Sequence, residues 1–320
     1  MSNFKNIKVR KSLVWFLKLT LFLGLCIIFI QQLLSVDWNA IQSAQIKNPL
    51  FFLFCVLLLP LNWGLEMLKW KSILRITSSN YNLSSLFKSL LSGISTGLIT
   101  PNRIGNFIGR SLFFKGKQRA NLILGTLYGN FAQFLSTLIF GCIGILLIGN
   151  EIASLSNSNS NSNSISITFI FLFTLCLLFY FLVPFFPIQK VRFFNAKQNI
   201  LVQFQDLCKG ITFPLLFLSL VRFLVFVSQY ALILIAFGVD LSFSLISGIF
   251  LVYLLSTLTP SIFFSKIIVR ESAAIFVLSH FVDQTIIIVF SSLLLWIINL
   301  GIPSLLGMVY LFRHKSLANA

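Results

Sequence analysis

Six apolar stretches, each long enough to cross a bilayer as a helix, dictate what this chain can become. They run from Leu13 to Leu34, Pro49 to Leu68, Ala120 to Gly149, Ile165 to Pro184, Ile211 to Phe237 and Thr285 to Phe312. About 18–20 apolar residues suffice to span the hydrocarbon core. Charged residues make up only 10 % of the chain, where a soluble domain carries about 25 %. Short alternating segments, the mark of a membrane β-barrel, are absent. The expected fold is all-α: a polytopic transmembrane helical bundle.

A net charge of +17 suggests nucleic acid at first sight. Its distribution argues otherwise. Of the 24 Lys and Arg residues, 17 fall in short loops or tails that alternate with the spans, as the positive-inside rule expects of cytoplasmic segments. This places both termini in the cytoplasm and makes nucleic acid an unneeded partner. Leu13–Leu34 exceeds a signal-peptide core and no small-residue cleavage site follows, so it reads as a retained anchor. The five cysteines have no metal-ligand spacing and read as apolar filler, with Cys208 in a basic loop at 190–209.

Two shorter apolar pieces break at proline. Leu86–Ile99 is too short to span, at about 20 Å of helix, and has basic residues on both flanks. It reads as one arm of a re-entrant hairpin that turns at Pro101 and Gly105 and leaves near Phe114. Leu241–Leu258 and Ser272–Val282 flank Pro260 and read as a second hairpin. Each half, 1–150 and 165–320, then holds three spans and one hairpin in opposite orientation, an inverted repeat within a single 1–320 membrane domain. The Ser/Asn-rich segment within 151–164 reads as a flexible outside loop. Gly301 and Pro303 predict a tilted or kinked last helix. The alternative is eight conventional spans of uneven length.

Charge inside these hairpins is expensive unless protein or trapped water compensates it. Arg103 and Arg110 follow the first turn; Lys266 and Arg270 follow the second. A guanidinium fork suits phosphate, and backbone amides freed at the turn can add to it. These four cations, with Asn102 and Asn106, are the candidate sites for an anionic head group, and Glu271 would balance charge or pair with Arg103. Ser89, Ser92, Thr96 and Thr100 recur at helical spacing and predict a polar stripe along a wet cavity. Snorkelling to lipid phosphates or a structural Arg270–Glu271 pair are the other readings. Arg222 lies about three turns into its span and is expected to be neutralised by a nearby acid; Glu66 reads as a local partner of Lys69. Asp283 with His280 is a possible proton carrier, local pairing being the alternative. No metal cluster, Walker loop or Ser-His-Asp set is discernible, so neither cofactor nor enzymatic chemistry is expected.

At these residues the chain resembles the lysylphosphatidylglycerol synthase transmembrane-region family, the flippase-like domain of bacterial inner membranes. The matching pieces are Asn62-Trp63-Gly64-Leu65-Glu66 with Lys69-Trp70, Thr100-Pro101-Asn102-Arg103-Ile104-Gly105 with Arg110, and Val269-Arg270-Glu271-Ser272. Where the family often has Glu after that first glycine, this chain has Asn106. Nothing here could fold into the soluble aminoacyl-transfer domain of the full synthase. The resemblance implies a bacterial inner-membrane location and movement of lipid between leaflets. The lipid would be an anionic or aminoacylated phospholipid or a polyprenyl phosphate. The alternative is a membrane partner that presents lipid to a separate transferase.

Overall fold

A computed structural model describes residues 45–77, 81–100, 103–114, 118–155, 162–185, 198–259 and 265–313. The expectations resting on Leu13–Leu34, Pro101, Asn102 and Pro260 lie outside these residues, as does the side chain of Lys266. Among the described residues all regular structure is helical. The helices are α1 (Pro49–Thr77), α2 (Leu83–Ile99), α3 (Gly105–Ser111), α4 (Gln118–Leu155), α5 (Ser162–Leu182), α6 (Gln198–Ala236), α7 (Phe243–Leu258), α8 (Ser265–Leu278), α9 (Thr285–Trp296) and α10 (Ile302–Arg313). A π-helical turn, Ile297–Gly301, joins α9 to α10.

Among the described residues, four stretches are long and apolar enough to cross a membrane: Pro49–Arg75, Arg119–Ile148, Val202–Ala236 and Thr285–Arg313. Their outward faces carry exposed Leu53, Leu57, Phe213, Phe217 and Leu305, which suits contact with acyl chains rather than water. The chain is a polytopic helical membrane protein.

Two boundaries differ from the sequence reading. The first described span does not end at Leu68, because α1 continues to Thr77 and carries Lys69 into the interior, 3 % exposed. The basic loop expected at 190–209 stops earlier, since α6 begins at Gln198 and buries Cys208. In both places a basic residue marked the nominal loop. Its charge is offset by a partner or by solvent at the helix end, so the backbone has no reason to break.

Both short pairs form hairpins. In the first, the Asn82 side chain caps α2 by accepting from the Ser85 amide at 2.7 Å, while the Ser85 hydroxyl accepts from the Asn82 amide at 3.2 Å. Glycine then lets the arms touch. A Cβ on Gly105 would strike the Thr96 carbonyl, and one on Gly109 would strike the Thr96 hydroxyl and the Ser92 carbonyl. At the tip, Arg103 adopts the left-handed region with φ 58°, which costs about 1–2 kcal/mol for a residue with a Cβ.

Three hydroxyls of the polar stripe on α2 bond to the protein itself, while the Ser92 hydroxyl is buried without a partner. Thr100 accepts from the Gly105 amide at 2.7 Å, Thr96 donates to the Gly105 carbonyl at 2.7 Å, and Ser89 accepts from the Trp70 indole at 2.7 Å. These hydroxyls satisfy polar groups that the broken helix and its neighbour would otherwise leave unpaired in an apolar setting.

Packing between the two halves is reciprocal. Helix α1 of the first half lies along α6 of the second. The α2–α3 hairpin packs on α10, where Ser95 donates to the Ser304 carbonyl at 2.6 Å and Gly307 closes onto Leu91. The α7–α8 hairpin packs on α4, where Gly141 and Gly144 admit Leu254 and Phe250.

Candidate functional site: a cation cluster around Glu66

One face of α1 is polar inside an otherwise apolar helix. Asn62, Glu66 and Lys69 sit one turn apart and share that face, and all three are at most 5 % exposed. Two arginines from other elements converge on Glu66. Arg110 of α3 reaches Oε1 at 2.5 Å, and Arg222 of α6 reaches Oε2 at 2.7 Å. Lys69 lies 3.6 Å from the same Oε2. Arg103 completes the group. It stands within electrostatic reach of Glu66, Arg110 and Arg222, and its side chain makes no hydrogen bond or ion pair with any described residue.

Aromatic and amide groups hold these cations in place. Arg110 lies over the Trp70 ring at 5.4 Å, and Arg222 over Phe226 at 5.0 Å. Arg222 also donates from Nε to Asn62 Oδ1 at 2.8 Å. Asn62 in turn donates to Asn299 at 2.6 Å, and Asn299 donates to Gln229 at 3.0 Å. Asn299 belongs to the π-helical turn that precedes Pro303. The widened turn aims its amide inward, a role such turns often have at functional sites. On the other flank Lys69 donates to Gln133 of α4 at 3.4 Å. The network thus ties α1, α3, α4, α6 and the π turn around one carboxylate.

The charge balance is unequal. Lys69, Arg103, Arg110 and Arg222 are four cations against the single carboxylate of Glu66, leaving three positive charges without a described counter-ion. Buried charges of one sign are costly unless something of the opposite sign visits or resides there.

Arg270 does not join this cluster. On α8 it donates from Nε to Ser292 Oγ at 3.1 Å and from Nη2 to the Ser292 carbonyl at 2.6 Å, and it lies 3.2 Å from Glu271. Glu271 accordingly pairs with its chain neighbour and Ser292 of α9, not with Arg103. The cation that the second half contributes to Glu66 is Arg222. Asn106 is buried against Gly97 with its side-chain oxygen unpaired. His280 and Asp283 lie in the exposed turn between α8 and α9, where His280 meets the Val277 carbonyl at 3.2 Å and its ring lies 6.4 Å from that of Phe281.

Glu66, Asn62, Asn299 and Gln229 were under-read from the sequence. One signal was available: polar residues at 62, 66 and 69 define a single helical face within a span, which marks that face as interior.

The profile of the family described as the lysylphosphatidylglycerol synthase transmembrane region matches residues 15–307. The chain belongs to this family. Among curated proteins and among solved structures, none matches it. The match covers all three motif segments, so the residues that build the Glu66 cluster and the Arg270–Glu271 pair both lie within the family's domain. Membership supports a membrane domain related to lipid handling.

Proposed function

We propose that this protein moves lipids with anionic phosphate head groups between the leaflets of a bacterial inner membrane. The head group crosses through the polar interior while its tails stay in the bilayer. The observation that carries this reading is the gathering of four cations near one carboxylate, Lys69 and Arg110 buried and Arg103 and Arg222 half-buried. Phosphate supplies the missing negative charge, and the guanidinium forks of Arg103, Arg110 and Arg222 match its oxygens. Phospholipids, aminoacylated phospholipids and polyprenyl phosphates all present that group.

The reciprocal packing of α1 with α6, and of each hairpin with a long helix, supports an inverted repeat. Such repeats hold their sites near the bilayer midplane between broken elements. The basic loops support cytoplasmic termini. The protein acts by binding and relocation, without covalent chemistry of its own.

Reconstitution into liposomes containing a fluorescent anionic phospholipid tests the proposal. A membrane-impermeant reductant should quench nearly all of the probe, against about half in protein-free vesicles. Arg222→Gln should slow quenching of the inner-leaflet probe about tenfold, the weight of one charge-assisted hydrogen bond. Wild-type protein that binds such lipids yet leaves them in their leaflet refutes transport. It would favour a partner that presents lipid to a separate transferase.

A further inference from the structure

The bundle encloses a second carboxylate, and it is served differently from Glu66. Cations hold both oxygens of Glu66. At Glu271, Oε1 accepts from the Ser292 hydroxyl at 2.8 Å and from Arg270 at 3.2 Å. Oε2 is buried with no hydrogen-bond partner. The side chain is 3 % exposed, so bulk water does not reach that oxygen. Arg270 has committed Nε and Nη2 to Ser292. A buried charged acceptor without a donor is costly, by more than the roughly 1–3 kcal/mol of a neutral group.

We propose that Glu271 is a proton-binding site. Oε2 takes up one proton from water and the carboxylate becomes a carboxylic acid. The reverse step returns the proton to water, and no other bond changes. The groups that face it are few. Arg270 lies beside it on α8, and the buried Tyr230 of α6 lies within electrostatic reach of it. Tyr253 of α7 faces Arg270, and α9 supplies the uncharged Ser292. Enclosure disfavours the bare carboxylate and Arg270 favours it, so a modest displacement of Arg270 decides occupancy.

Proton binding gives the Arg270–Glu271 pair one net positive charge. A proton and a singly charged phosphate together then add no net charge to the interior, which removes much of the cost of crossing. This coupling rests on the lipid reading; the proton site does not.

Infrared difference spectra of the purified full-length protein in acidic and alkaline buffer test the site directly. Wild type should show the carbonyl stretch of a dehydrated carboxylic acid, distinct from exposed aspartates. Glu271→Gln should lack it. Glu271→Asp, which keeps a titrating acid, should shift it. A Glu271→Gln spectrum superimposable on wild type overturns the proposal, and so does a wild-type response to sodium in place of pH. In liposomes, a gradient of one pH unit should bias the lipid distribution of wild type by up to about tenfold, and that of Glu271→Gln not at all. A band present without any lipid movement leaves the proton site standing and removes the transport reading. Lipid movement without the band does the opposite.

Discussion

Arg222 of α6 donates to Glu66 of α1 at 2.7 Å, joining residues 156 positions apart. The contact lies on the seam between the two halves, beside Arg110 from the first hairpin. One carboxylate therefore fastens three elements, and its loss should loosen all of them.

Glu66→Ala leaves the buried Lys69 and Arg110 and the half-buried Arg222 without their anion. Removing one partner of a buried pair costs about 3–5 kcal/mol, and three cations share this one. The variant should unfold at markedly lower denaturant in detergent micelles than wild type, read by loss of helical circular dichroism. Glu66→Gln keeps the shape and one acceptor and should lose less.

Arg103 separates stability from binding. Its φ of 58° suits glycine, and no described residue bonds its side chain. Arg103→Gly should leave the unfolding midpoint unchanged or raise stability by about 1 kcal/mol. Binding of anionic phospholipid, measured by co-purified lipid or by titration in nanodiscs, should fall in the same variant. A parallel loss of stability would make Arg103 a structural residue.

Gly109→Ala tests the hairpin itself. The added methyl meets the Thr96 hydroxyl and the Ser92 carbonyl, the latter at 2.7 Å. Backbone cannot yield as a side-chain tip does, so α2 and α3 must part at a cost of about 1–3 kcal/mol. Arg110 rides on α3 and should swing away from Glu66. A cysteine pair engineered across the arms should then cross-link less efficiently than in an otherwise unaltered protein.

Asn106→Asp asks whether uncompensated positive charge matters. The change is nearly isosteric and places a carboxylate one turn from Arg110, on the same face of α3. It should satisfy part of the positive excess internally and weaken binding of phosphate-bearing lipid about tenfold, the weight of one charge-assisted hydrogen bond, with Lys and Arg positions untouched. Unaltered affinity would show that the excess charge does not set binding.

Much of this was legible without coordinates. The apolar runs announced a membrane bundle because water cannot pay for that much exposed hydrocarbon. Gly105 and Gly109 marked the first hairpin, because only glycine lets its two arms close up so tightly. The hydroxyl stripe at Ser89, Ser92, Thr96 and Thr100 was also visible, but not the partners that three of these hydroxyls take. Spacing shows that hydroxyls share a face; only the facing chain shows whether they meet water or the Gly105 backbone.

What the amino-acid order determined by itself is each element's length, polarity and breaking point, since these depend on bonds and solvation along the chain. Which cations share Glu66 was decided by the tertiary structure alone. Arg222 and Arg270 look alike in one dimension, each an arginine at membrane depth. The rotation of α6 against α1 delivers the first to Glu66, and the packing of α8 on α9 commits the second to Ser292. Helix rotation is set by side chains fitting across the interface, and no local spacing encodes it.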